Sequence, residues 1–179
     1  MVSEGSELRF RTYLDVKFVV DGMLGRLARW LRLTGHDVAY ANESPFVTQQ
    51  DEALMEKAEK EGAILITSDK GLYRRARRRG LRAVLIQAGD LLGQLVEVSR
   101  AVPELEIDLE NSRCPVCNGE LEEVNRERVR GAVPDTVFEA HEIFWRCVSC
   151  GKIYWEGSHW KRILETLEEF RRRKVEAHA

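Results

Sequence analysis

The chain has 179 residues, 44% hydrophobic and 32% charged, with a net charge of −2. That length accommodates one domain of ordinary size plus a small module and leaves enough apolar residues for a buried core. No apolar run approaches the roughly 20 residues of a membrane span, and the opening MVSEGSELRFRTYLD has neither the apolar stretch nor the cleavage pattern of a secretory signal, so the reading is a cytoplasmic protein.

Residues 17 to 100 read as repeated strand–helix units. KFVV (17–20) is a short apolar strand. The following GMLGRLARWLRLTG places Leu24, Leu27, Ala28 and Leu31 at helical spacing, with Gly35 as its stop. DVAYA (37–41) is a second strand, and 42–50 is a loop containing Pro45. EALMEKAEKEG is a helix with Leu54, Met55 and Ala58 on one face. AILIT (63–67) is a continuous apolar run, as expected of a strand covered on both sides. KGLYRRARRRG, LRAVLI and DLLGQLVEVSRAV then predict a helix, a strand and a helix started by Asp90. This alternation predicts an α/β fold with a doubly wound parallel sheet. With right-handed crossovers its strand order is 2-1-3-4, and the switch point lies between the first and third strands.

The expected organisation is an extension (1–16), the α/β domain (17–102), an acidic connector PELEIDLEN (103–111), a small β module (112–157) and a C-terminal amphipathic helix (158–179). Ser158 reads as the cap of that helix, with Ile163, Leu164, Leu167 and Phe170 as its apolar stripe.

The β module holds the chain's only cysteines, as Cys114-Pro-Val-Cys117 and Cys147-Val-Ser-Cys150. Each pair is followed closely by glycine, which suits a tight turn that aims two thiolates at one ion. Two such turns make a tetrahedral four-thiolate zinc site, structural because no coordination position stays open. A cytosolic chain disfavours a disulfide framework, and the duplicated pair disfavours a redox CxxC. So small a module draws much of its folding energy from the metal.

Three aspartates, Asp21, Asp51 and Asp69, stand where a strand or polar turn gives way to a helix. Carboxylates at strand ends of an open α/β sheet can converge on one crevice. Clustered there they repel one another, and the ion that relieves this is Mg²⁺ or Mn²⁺. Aspartate is also among the best N-caps, so capping is the competing reading at each position. Arginine outnumbers lysine 21 to 7, a bias that suits bidentate phosphate binding and equally a thermophilic surface. Arg26, Arg29 and Arg32 recur every third residue on the first helix, and Arg74 opens a run, with Arg75, Arg77, Arg78 and Arg79, that cannot all face one way. These are the candidate substrate-binding residues. Tyr154, Trp155 and Trp160 are candidates for base stacking. Trp30, Met23 and Met55 read as core, and His159 as a residue that fixes the ribbon against the sheet.

The stretches VVDGMLGRLARWLRLTGHDVAYA, DEALMEKAEKEGAILITSDKGL and CGKIYWEGSHW resemble the Mut-7 C-terminal RNase domain family, a branch of the PIN-like nucleases with a C-terminal zinc ribbon. The resemblance spans roughly residues 17 to 165. It implies a PIN-like sheet and a Mg²⁺- or Mn²⁺-dependent ribonuclease whose acids map onto Asp21, Asp51 and Asp69. Many PIN enzymes carry a fourth acid between the first two. Asp37 and Glu43 are its candidates here, and neither is predicted to lie in a helix as a PIN glutamate usually does. RNA is the implied partner. Some PIN relatives are held by an inhibitor protein, and such a partner, or a homo-oligomer, stays open. The function expected is metal-dependent endoribonuclease. Its alternative is a non-catalytic RNA-binding module using the basic groove and ribbon. A phosphoacceptor receiver domain fits less well, because such domains need adjacent acids after the first strand and Asp21 is followed by Gly22.

Overall fold

Four parallel strands form the centre: β1 (Lys17–Val20), β2 (Asp37–Tyr40), β3 (Ile64–Thr67) and β4 (Ala83–Leu85). They lie in the order β2-β1-β3-β4, the order expected from right-handed crossovers. The coordinates are a computed structural model, which describes residues 16–43 and 50–176. Nearly all of the N-terminal extension lies outside the described residues, as does most of the loop around Pro45.

Strand alternation separates two apolar layers. Phe18 and Val20 of β1 and Ile64 and Ile66 of β3 face one side, while Val19 and Leu65 face the other. The first side is covered by α1 (Gly25–Leu33) and α4 (Leu91–Ala101), through residues such as Leu27, Leu31, Leu95 and Val98. The second is covered by α2 (Gln50–Glu61) and α3 (Lys70–Arg78), through Leu54, Met55, Leu72 and Ala76. Each large side chain so buried contributes about 1.5–3 kcal/mol. Both faces of β3 are covered, which explains its unbroken apolar sequence.

The ribbon is an antiparallel sheet of β5 (Leu121–Asn125), β6 (Ile143–Cys147) and β7 (Ile153–Tyr154) in that order. It has its own small core of Val124, Val129, Val133, Phe138 and Phe144. A short helix in its long connection, α5 (Asp135–Ala140), has too few residues to show a period and was not expected. The chain ends in α6 (Ser158–Glu176). Its Leu167 and Phe170 join the same core layer as α1 and α4, so the last helix completes the α/β core. Two details differ from expectation. Ser158 is the first residue of the helix rather than its cap, and Leu164 is exposed because the stripe is narrower than four residues. Among the described residues no helix is long and apolar enough to cross a membrane.

Candidate functional site

Asp21 follows β1 and Asp69 follows β3, adjacent parallel strands at the switch point of the sheet. One hydroxyl joins them. Thr67 Oγ1 donates to Asp21 Oδ2 at 2.7 Å and accepts the Asp69 amide at 2.9 Å. Thr67 is fully buried at the end of β3, so the hydroxyl is held at a fixed position. The Asp21 amide donates to Ile66 O at 2.9 Å, extending the β1–β3 ladder by one residue.

Capping distinguishes the two aspartates. Asp69 Oδ1 accepts the Leu72 amide at 2.8 Å and caps α3. Asp21 precedes a 3-10 turn (Gly22–Leu24), yet its side chain makes no capping bond. Asp21 Oδ1 and Asp69 Oδ2 have no partner among the described residues. Asp51 lies in the first turn of α2 and is ion-paired with Arg75 of α3. Among the described residues no carboxylate group of three brings its ligand atoms within 4.8 Å of one another; the four cysteines alone do so.

The two candidates for a fourth acid go elsewhere. Asp37 begins β2, opposite Lys17, at the end of the sheet away from Asp21. Four strand residues, about 13 Å, separate the levels. Its carboxylate accepts from Asn118 Nδ2 at 2.6 Å and lies 3.7 Å from Lys17 Nζ. Glu43 binds the guanidinium of Arg32 with both oxygens, at 2.9 and 2.5 Å.

Arg32 is corrected by the structure. It is 1% exposed, and its guanidinium also donates to Val38 O, at 3.1 and 2.8 Å, and to the carbonyls of Pro115 and Val116. A side chain so enclosed cannot reach a substrate. It instead joins α1, β2 and the first cysteine turn. Arg26 and Arg29 are exposed without a carboxylate partner among the described residues. In the arginine run, Arg75 pairs with Asp51, Arg79 with Glu52 and Glu59, and Arg82 with Glu104. Exposed Arg74 and Arg78 have no acid partner among the described residues, and the pairing of the others leaves a usable basic surface smaller than the arginine count suggests. Met23 is also corrected. It is 80% exposed beside Asp21, because Tyr40 Oη and Asn42 Nδ2 both donate to Gly22 O and hold the turn outward.

The four cysteines meet as their spacing implied. Cys114 and Cys150 Sγ are 3.8 Å apart and Cys117 and Cys147 Sγ 3.4 Å, with all four within 4.8 Å. A tetrahedron with Zn–S bonds of about 2.3 Å has edges of about 3.8 Å, so the donor set fits zinc. A disulfide would need about 2.05 Å. In both turns the residue after the second cysteine is left-handed, Asn118 at φ 67° and Gly151 at φ 72°. Gly119 has no room for a Cβ, which would meet Cys147 Sγ at 2.8 Å. Tyr154 Oη lies 3.0 Å from Cys114 Sγ. Burial pushes the Cys114 thiol up, but the Tyr154 hydroxyl and the Cys117 and Val116 amides outweigh it and bring it to about 7. Burial and then the neighbouring thiols push Cys117 up to about 12, against the Gly119 amide. Four thiols cannot all ionise together without a cation, and zinc held by Cys114, Cys117, Cys147 and Cys150 would supply that charge. The ligand set needs no open position, so the metal's chemistry here is structural.

A doubly wound parallel sheet with paired acidic strand ends, joined to a three-stranded ribbon and closed by a C-terminal helix, defines the class as an α/β domain with a four-cysteine ribbon module. The family model Mut7-C RNAse domain matches residues 16–167, and the chain belongs to that family, which implies a ribonuclease with RNA as substrate. No curated protein sequence matches it. Among solved structures, a domain of a functionally unknown protein from Methanocaldococcus jannaschii DSM 2661 is similar at 17% identity. The match covers 42% of this chain and 94% of that one, with a TM-score of 0.33.

Proposed function

We propose that the chain is a Mg²⁺- or Mn²⁺-dependent endoribonuclease whose reaction centres on Asp21 and Asp69, with Asp51 of α2 as a third candidate acid. The observation that supports it most is the shared Thr67 hydroxyl. It fixes the Asp21 carboxylate beside the start of α3 while leaving Asp21 Oδ1 and Asp69 Oδ2 open to solvent-borne ligands. A helix terminus that could have been capped by Asp21 is not, so capping does not account for this carboxylate. A divalent ion there would polarise a phosphoryl oxygen and make bound water acidic. Arg26, Arg29 and Arg74 are the exposed cations that would hold phosphates without reading sequence.

The test is a labelled single-stranded RNA incubated with Mg²⁺, with Mn²⁺, or with neither. Internal cleavage that needs the metal and disappears in Asp21→Asn supports the reading. A second reading, RNA binding without cleavage, is favoured by the Asp51–Arg75 pair and by the absence of a tight carboxylate trio among the described residues. It predicts binding with no cleavage under every metal condition.

A further inference from the structure

At the opposite end of the sheet from Asp21, a cleft of about 1160 Å³ opens between the turn after α1, the ribbon and the start of α6. Its walls include Thr34–His36, which precede β2, and Val16, which precedes β1. Trp145, Tyr154, Trp155 and Trp160 all line it and are all only half-buried. Trp145 and Trp160 belong to none of the hydrophobic cores among the described residues. Two tryptophans facing one cleft without being absorbed into packing are costly to leave wet. Trp155 is held in place by Phe144, at 6.5 Å between centroids, and by Gly157, where a Cβ would lie 2.7 Å from the indole nitrogen.

The cleft does not suit phosphate, since Asp108, Glu110, Glu120 and Glu156 share its lining with Arg113 and Lys152. It does suit bases, whose π-faces stack on indoles and whose N–H groups donate to carboxylates. The phosphates have a route outside it. Helix α1 runs from the Asp21 end of the sheet to the cleft over nine residues, about 13 Å. Exposed Arg26 and Arg29 and the cleft-lining Leu33 share one side of it.

We propose that this cleft is a base-binding site for single-stranded RNA, stacking unpaired bases on Trp145, Trp155 and Trp160, while Arg26 and Arg29 carry the backbone along α1 toward Asp21. The proposal rests on RNA being the substrate, and requires no particular chemistry at Asp21.

The experiment is a tryptophan-fluorescence titration of the full chain, with no divalent metal added, against a short oligoadenylate and a blunt duplex of equal length. The single strand quenches and the duplex does not. Trp145→Ala and Trp160→Ala each weaken binding roughly 5- to 150-fold. Trp160→Phe, which keeps a stacking ring, restores most of the affinity and shows that the loss is not misfolding. Arg26→Gln and Arg29→Gln each lower the slope of log K against log salt by about 0.7, while the tryptophan variants leave it unchanged. Asp21→Asn still binds and quenches, so failure of the cleavage reading would leave this result intact. Parent affinity in both tryptophan-to-alanine variants overturns the proposal. So does quenching by an arginine-rich peptide with none by RNA, which would assign the acid-lined cleft to a peptide.

Discussion

The side-chain oxygen of Asn118 accepts the Val38 amide at 3.0 Å, so the turn that follows Cys117 also closes the open edge of the parallel sheet. β2 is an edge strand, and its outward N–H and C=O groups would otherwise invite pairing with another chain. Arg32 takes the Val38 carbonyl. Asn118→Ala should therefore destabilise by about 2–3 kcal/mol, from two lost hydrogen bonds and a side chain forced to a left-handed φ. Asn118→Gly, which tolerates that φ, should cost about 1 kcal/mol less. Denaturant midpoints give the difference, and hydrogen exchange at Val38 should accelerate in both variants and on removal of zinc.

Arg32 should behave as a structural residue and its neighbours on α1 should not. Removing it leaves Glu43 and the Val38, Pro115 and Val116 carbonyls without their donor. Arg32→Ala should cost about 3 kcal/mol, and Arg32→Lys should recover little, because an ammonium cannot serve a fork of partners. Arg26→Ala and Arg29→Ala, both exposed, should stay within about 0.5 kcal/mol of the parent. Thermal melts of the four single variants decide it.

The same arginine shows where the sequence was legible and where it was not. The alternation of apolar strands and helices defined the 2-1-3-4 sheet, because two covered faces leave a clear pattern in β3 and its flanking helices. The cysteine spacing identified the four-thiol cluster, because each CxxC turn brings its two sulfurs together and the ribbon brings the two turns to one place. Arg32, one of three arginines at helical spacing, gave no sign of facing inward. Its partners lie 6 to 84 residues away, from Val38 to Val116. Met23 read as core by composition, but an exposed position fixed by Tyr40 and Asn42 depends on contacts across β2. The pairing of Arg75 and Arg79 with acids of α2 required knowing that α2 and α3 share a face. The Thr67 bridge, by contrast, sits within the Thr67–Asp69 stretch that resembles the family. Its threonine could have been singled out with the aspartates.

The two strand-end aspartates should separate by stability as well as by activity. Asp69→Ala loses the cap of α3 and should cost about 1 kcal/mol, while Asp69→Asn keeps an acceptor for the Leu72 amide. Asp21 caps nothing, so Asp21→Asn should melt close to the parent and still abolish metal-dependent cleavage. Thr67→Val should reduce cleavage without removing either carboxylate, because it frees Asp21 and leaves the Asp69 amide unpaired. Cleavage rates beside melting temperatures for the four variants check this. An active Asp21→Asn would end the assignment.

The metal-free ribbon should have a stability maximum near pH 9, set by two cysteines shifted in opposite directions. Cys114 is lowered from 9.0 to about 7, through the Tyr154 hydroxyl and nearby amides that outweigh burial. Between those values the unfolded chain holds a proton that the folded chain has released, so stability rises with pH. Cys117 is raised from 9.0 to about 12, by burial and then by the other thiols. Above 9 the folded chain holds the extra proton, so stability falls as pH rises further. Tyr154→Phe removes the hydroxyl that lowers Cys114. It should flatten the rise between pH 7 and 9 and weaken zinc binding roughly 10- to 100-fold, as loss of a hydrogen bond to a metal ligand commonly does. Urea melts of chelator-treated protein across that range, with thiolate absorbance followed in parallel, test the pH profile. Competition with a chromophoric chelator measures the zinc affinity. A rise that survives in Tyr154→Phe would mean the backbone amides alone hold the Cys114 thiolate.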